Sequence, residues 1–98
     1  MNINTLTIKA QEVLQQAFTI ASEHSNQAVE PSHILSALLG ADDSLAAYLI
    51  QRVGADLNSV KNGTENIIDS LPRVSGGGDN FFSNASSKVI QKAVDYTK

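Results

Sequence analysis

The chain has no cysteine and no tryptophan, and each absence narrows what it can be. Without thiols there is neither a disulfide framework nor a thiolate metal site, and a reducing compartment such as the cytoplasm suits that composition. Aromatic residues make up 5% of the 98 residues and hydrophobic residues 42%. That balance fits helices packed through Leu, Ile, Val and Ala better than a β-sandwich. Nowhere do about 18 apolar residues follow one another, and the amino-terminal stretch MNINTLTIKA lacks a basic region leading into an apolar one, so neither a membrane span nor a signal peptide is expected. Positive charge is also scarce where most of the chain lies. Residues 1–71 carry three basic and eight acidic side chains, residues 72–98 four and two, for a net −3 overall. Nucleic acid is therefore not an expected partner, and a DNA-binding helical domain is disfavoured.

What is present is helical periodicity. From Thr7, apolar residues fall at Ala10, Val13, Leu14, Ala17, Phe18 and Ala21, one face of a first helix with Thr7 at its N-cap and the polar run Ser22 to Gln27 ending it. Pro31 opens a second helix, carried by Ile34, Leu35, Leu38 and Leu39 and closed by Gly40, a residue that can take the left-handed terminal conformation at little cost. Asp42, Asp43 and Ser44 supply the cap of a third, in which Leu45, Leu49 and Val53 recur every four residues, with Ala46 and Ile50 beside them, until Gly54. Asp56 caps a fourth, whose face is Leu57, Val60, Thr64, Ile67, Ile68 and Leu71. Asn62-Gly63 interrupts it with a hairpin signal, but the flanking residues do not alternate as a strand would, so the helix reading stands.

Pro72 to Asn80, with Gly76-Gly77-Gly78 inside it, reads as a tether. Phe81-Phe82 and the cap Ser83 then lead into a fifth helix striped by Val89, Ile90, Ala93, Val94 and Thr97. The expected class is all-α, divided into a four-helix unit over 1–71, a linker over 72–81 and one further helix over 82–98.

Catalytic and metal patterns are weak. His33 follows Glu30 by three residues without another ligand at helical spacing, so a structural or surface histidine is expected there, with His24 at the end of the preceding helix. Ser32 and His33 are adjacent on one helix and point about 100° apart, which rules them out as a nucleophile and base together with Asp42 or Asp43. The glycine triplet is followed by Asp79-Asn80 rather than Lys-Ser or Lys-Thr, so no phosphate loop is read.

An offset of 76 residues sets Thr7 over Ser83, Val13 over Val89, Leu14 over Ile90, Gln15 over Gln91, Ala17 over Ala93 and Phe18 over Val94. Any two capped amphipathic helices share part of this pattern. It is read either as coincidence or as an internal repeat whose second copy holds only its first helix within these residues.

The segments Leu6-Thr7-Ile8-Lys9-Ala10-Gln11, Asn26-Gln27-Ala28-Val29-Glu30-Pro31-Ser32-His33-Ile34-Leu35, Ala37-Leu38-Leu39 and Leu71-Pro72-Arg73-Val74-Ser75-Gly76, in this order, resemble the Clp N-domain family in the form carried by ClpB-type AAA+ disaggregase chaperones. The resemblance implies an all-helical fold of two similar four-helix repeats, to which the 76-residue offset corresponds. The break at Lys61-Asn62-Gly63 departs from the family pattern, as does the end of these residues early in the second repeat.

It further implies a non-catalytic module that captures exposed apolar segments of unfolded or aggregated polypeptides and passes them to the ATPase ring of its own hexameric parent. ATP and magnesium are then expected in the ATPase domains and no cofactor in this part, with cytoplasmic location and no membrane or nucleic-acid partner. An apolar groove at the junction of the repeats is implied as the client site, with Leu6, Thr7, Val89, Ile90 and Val94 expected to line what these residues retain of it. Thr7 has two readings, helix cap and substrate contact. A lone stripe on the fifth helix needs cover, from helix one or from a second molecule as a dimer. Two other functions stay open: an adaptor-docking N-domain of a Clp protease unfoldase, and a small stand-alone enzyme or regulatory protein.

Overall fold

The computed structural model describes residues 6–41, 44–75 and 78–96. The expectations that fall on Asp42, Asp43, Gly76, Gly77 and Thr97 lie outside the described residues. Five helices form, α1 (Ile8–Glu23), α2 (Pro31–Gly40), α3 (Leu45–Arg52), α4 (Leu57–Asp69) and α5 (Asn84–Tyr96), together with two short strands, β1 (Ala28–Val29) and β2 (Phe81–Phe82). The chain is all-α in character. Its two strands pair in parallel, Ala28 beside Phe81 and Val29 beside Phe82.

Helix starts are set by local capping. Thr7 Oγ1 accepts from the Ala10 N–H at 3.1 Å, and Ser83 Oγ accepts from the Ser86 N–H at the same 3.1 Å. Donors and acceptors are thus related by the 76-residue offset seen in the sequence. Ser44 Oγ accepts from the Ala47 N–H at 3.1 Å, and Asp56 takes the Asn58 N–H on one carboxylate oxygen and the Ser59 hydroxyl on the other. Each removes an orphan donor from a first turn.

One core cluster collects Leu14, Ala17 and Ala21 of α1, Val29 of β1, Ile34 and Ala37 of α2, and Ile90 and Val94 of α5, with Phe18 and Phe82 packed beside it ring edge to ring face at 4.7 Å. Burying an aliphatic side chain of this kind stabilises by about 1.5–3 kcal/mol. Leu39 on α2 and Thr64 and Ile68 on α4 are buried too, whereas Ile67, read as part of the same α4 face, is exposed. Helix α4 runs unbroken through Asn62-Gly63.

Three readings of the sequence change. Gly40 is the last residue of α2 and takes no left-handed conformation; among the described glycines only Gly54 does, at φ 84°. The physical reason lies next door: the Ser44 hydroxyl donates to the Leu38 carbonyl at 2.6 Å, satisfying a terminal acceptor without a left-handed glycine. Secondly, the stripe of α3 is turned outward. Leu45, Leu49 and Val53 are exposed, and the half-buried side is Ala46, Ala47 and Ile50.

Thirdly, the described parts of the 72–81 segment, read from composition as a linker, are held at both ends. The Val74 N–H donates to the Ser25 carbonyl at 2.8 Å, and Asn80 Nδ2 donates to the carbonyls of Asn26 and Gln27 at 2.8 and 3.0 Å. Its last residue, Phe81, belongs to β2.

Candidate functional site

Five residues were expected to line a client groove; the fold gathers Leu6, Ile90 and Val94 at one core and leaves Thr7 and Val89 exposed. Ile90 and Val94 are 3% and 4% exposed, in the core. Leu6 is half-buried against the same cluster, and its carbonyl accepts from Gln11 Nε2 at 3.0 Å. Thr7 is exposed and caps α1; Val89 is 47% exposed on α5. Cover for Ile90 and Val94 of the α5 stripe comes from within the chain, whereas Val89 and Ala93 stay exposed. The Ser86 hydroxyl, itself buried, donates to the Val29 carbonyl at 2.6 Å, and the Ser83 N–H reaches the same oxygen at 3.1 Å. These bonds dock the first turn of α5 on β1, and Ile90 and Val94 join the core cluster formed with α1, β1 and α2. Thr7 and Val89 are what remains exposed of the expected set.

Sequence reading missed a polar hub at the α1–β1 corner. Ser25 sits at φ 57°, just past the end of α1, and the Asn26 N–H returns to the Ala21 carbonyl at 2.8 Å. The Asn26 side chain is buried. Its Oδ1 lies 3.0 Å from His33 Nε2 and its Nδ2 donates to the Pro72 carbonyl at 3.0 Å. His33 Nδ1 in turn accepts from the Glu30 N–H at 2.8 Å. An imidazole fully enclosed in this way is a structural link between the start of α2 and the segment leaving α4. Burial lowers its pKa, His24 lowers it further and Glu30 raises it. Asn26 and His33 stand in the motif that carries the family resemblance, but nothing in their spacing discloses a bond to Pro72, 46 residues away from Asn26.

Two surface features are open to solvent, the first of mixed polarity and the second apolar. An open groove of about 580 Å³ between α1 and α2 is lined by Val13, Ile20 and Ala37 together with Lys9, Glu12 and Gln16. The outer face of α3 is the other, with Leu45, Tyr48, Leu49 and Val53 all exposed. Among the described residues, no cluster of three or more His, Asp or Glu side chains is arranged to hold a metal. No single described helix is long and apolar enough to cross a membrane.

The chain is 40% identical over 95 residues to the chaperone protein ClpB of Porphyromonas gingivalis, which is 97% of this chain and 11% of that protein. It is 37% identical over 98 residues to ClpB of Bacteroides thetaiotaomicron (100% of this chain, 11% of that protein) and 37% identical over 94 residues to ClpB of Brucella suis (95% and 11%). It thus spans about a tenth of the length of these curated relatives. The model of the Clp repeat (R) N-terminal domain matches residues 5–98, and the chain belongs to that family.

Proposed function

We propose that these residues act as the N-terminal recruitment module of an ATP-dependent protein disaggregase. The module weakly binds exposed apolar segments of unfolded or aggregated polypeptides and passes them to the ATPase ring of a hexameric parent. The observation that carries this reading is the 40% identity to a ClpB chaperone across 97% of the chain. The physics supports it: open, shallow apolar surfaces flanked by charge give sequence-tolerant binding with fast release, as a capture step requires. In this reading the module performs no chemistry. ATP and magnesium act in the ATPase domains of the parent, and the setting is the cytoplasm.

Client contact is assigned to the open α1–α2 groove and to the exposed pair Thr7 and Val89. The test is an amide-by-amide NMR titration of the chain with a reduced and alkylated, permanently unfolded polypeptide, beside a folded control. Graded shifts at Lys9 to Ile20, Ala37 and Val89 with the unfolded chain alone are the expected outcome. Equal shifts with the folded control, or none with either, would sink the recruitment reading for these residues. Thr7→Ser keeps a hydroxyl for the cap and removes a methyl; weaker binding with unchanged helix stability would assign Thr7 a contact beyond capping.

A further inference from the structure

Helix α3 carries apolar residues on both its inner and its outer face, with Gln51 and Arg52 as its polar residues. Ala46, Ala47 and Ile50 face the body of the fold, while Leu45, Tyr48, Leu49 and Val53 stand 67%, 56%, 52% and 80% exposed on the opposite side. At about 100° per residue these four fall within one outward sector, spaced i, i+3, i+4 and i+8. The sector's only charge is Arg52, in the last turn.

We propose that the outer face of α3 is a self-association surface, meeting the same face of a second copy across a twofold axis with the two helices antiparallel. Shape decides between occupants. The face is a convex ridge whose backbone groups are satisfied within the helix, so an extended peptide laid on it would find neither a groove nor a strand edge for its own amides. Another helix can interlock its side-chain ridges there, and α3 of a second copy carries the matching stripe.

Charge placement sets the direction. Antiparallel packing keeps the two Arg52 guanidinium groups at opposite ends of the contact, whereas parallel packing brings them together. Area sets the strength. The four side chains expose on the order of 500 Å² per copy, so a pair buries about 1,000 Å², below the standard size of stable complexes. The association is therefore weak, with a dissociation constant on the order of a millimolar.

The test is dilution NMR together with sedimentation equilibrium on the whole chain, from tens of micromolar to several millimolar, on wild type and on Leu49→Glu. Leu49 lies outside the core, so circular dichroism of the variant should match wild type. Expected are concentration-dependent shifts at Leu45, Tyr48, Leu49 and Val53, intermolecular contacts between Leu45 and Val53, and at least about tenfold weaker association in Leu49→Glu. A wild type that stays monomeric throughout overturns the proposal. So does a dimer that survives Leu49→Glu with its shifts on α5. Shifts on α3 that arise only when an unfolded polypeptide is added would give the face to clients and equally overturn it.

Discussion

At His33 the position of one proton decides whether α2 is held at its start. Nδ1 accepts from the Glu30 N–H, so the ring proton belongs on Nε2, where it is donated to Asn26 Oδ1. Protonation would set an Nδ1–H against the Glu30 N–H, two donors face to face in a buried site. The folded-state pKa is accordingly lowered, chiefly by burial. A histidine of this kind contributes stability that is complete above the unfolded value of about 6.5 and is lost as pH falls below it, because the unfolded chain then binds the proton more readily. Urea unfolding at pH 7.5 and pH 5.5 should show a loss on the order of 1 kcal/mol at the lower value, still above the carboxylate range. In His33→Ala the slope should flatten and overall stability drop by about 2–4 kcal/mol, since a cavity forms and the Glu30 N–H and Asn26 Oδ1 both lose their partner. Equal pH slopes in wild type and His33→Ala would remove His33 as the sensing group. The sequence made the caps at Thr7, Ser44, Asp56 and Ser83 readable because a cap bonds to an amide two or three residues away. It could not disclose His33's role, whose chain of bonds ends on Pro72.

At the scale of elements, all five helices were legible, and which way α3 faced was not. Periodicity reports that a stripe exists without saying what covers it. Where both sides of a helix are apolar, as in Leu45 to Arg52, two stripes compete and only packing chooses. The two-residue strands were invisible for the opposite reason, being too short to show any period. Glycine offers a test of how well the elements are understood. Gly63 lies inside α4 with open space where a Cβ would stand, so Gly63→Ala should stabilise the chain by about 0.5–1 kcal/mol through helix propensity alone. Gly54 also has open space, but its φ of 84° strains an L side chain. Gly54→Ala should destabilise by about 1 kcal/mol or more. Opposite shifts of the urea midpoint with unchanged m-values are the expected result. Two shifts of the same sign would mean that α4 is not helical through Asn62-Gly63, or that Gly54 does not hold its left-handed turn.

Across the whole molecule, the link between β1 and β2 spans 53 positions, from Ala28 to Phe81, and passes through α2, α3 and α4. A two-residue parallel pairing cannot offset the closure of so long a loop by itself. The hub at Ser25 to Gln27 supplies what the strands lack, taking bonds from Val74, Asn80 and Phe81 and giving one to Pro72. Composition, with its glycine triplet, could only suggest a loose connection there. Asn80 is the place to separate the two pictures. Its Nδ2 donates twice to the hub, and its Oδ1 accepts from the Ser22 hydroxyl at 2.6 Å. Asn80→Ala should cost about 1–3 kcal/mol, much of it felt locally as opening of the crossover. Arg73 is exposed in that crossover, and the amide of the residue after it is held by Ser25. Trypsin should therefore cut after Arg73 roughly tenfold faster in Asn80→Ala at low protease, where cleavage follows the population of the open form. Cleavage after Lys9 and Lys61, on α1 and α4, should change much less. Acceleration by the same factor at all three sites would mean that Asn80 supports the whole fold and not the crossover in particular. No acceleration at Arg73 would mean that the 72–81 segment is the free tether its composition suggests, with α5 held by its contacts to Val29 and the core alone.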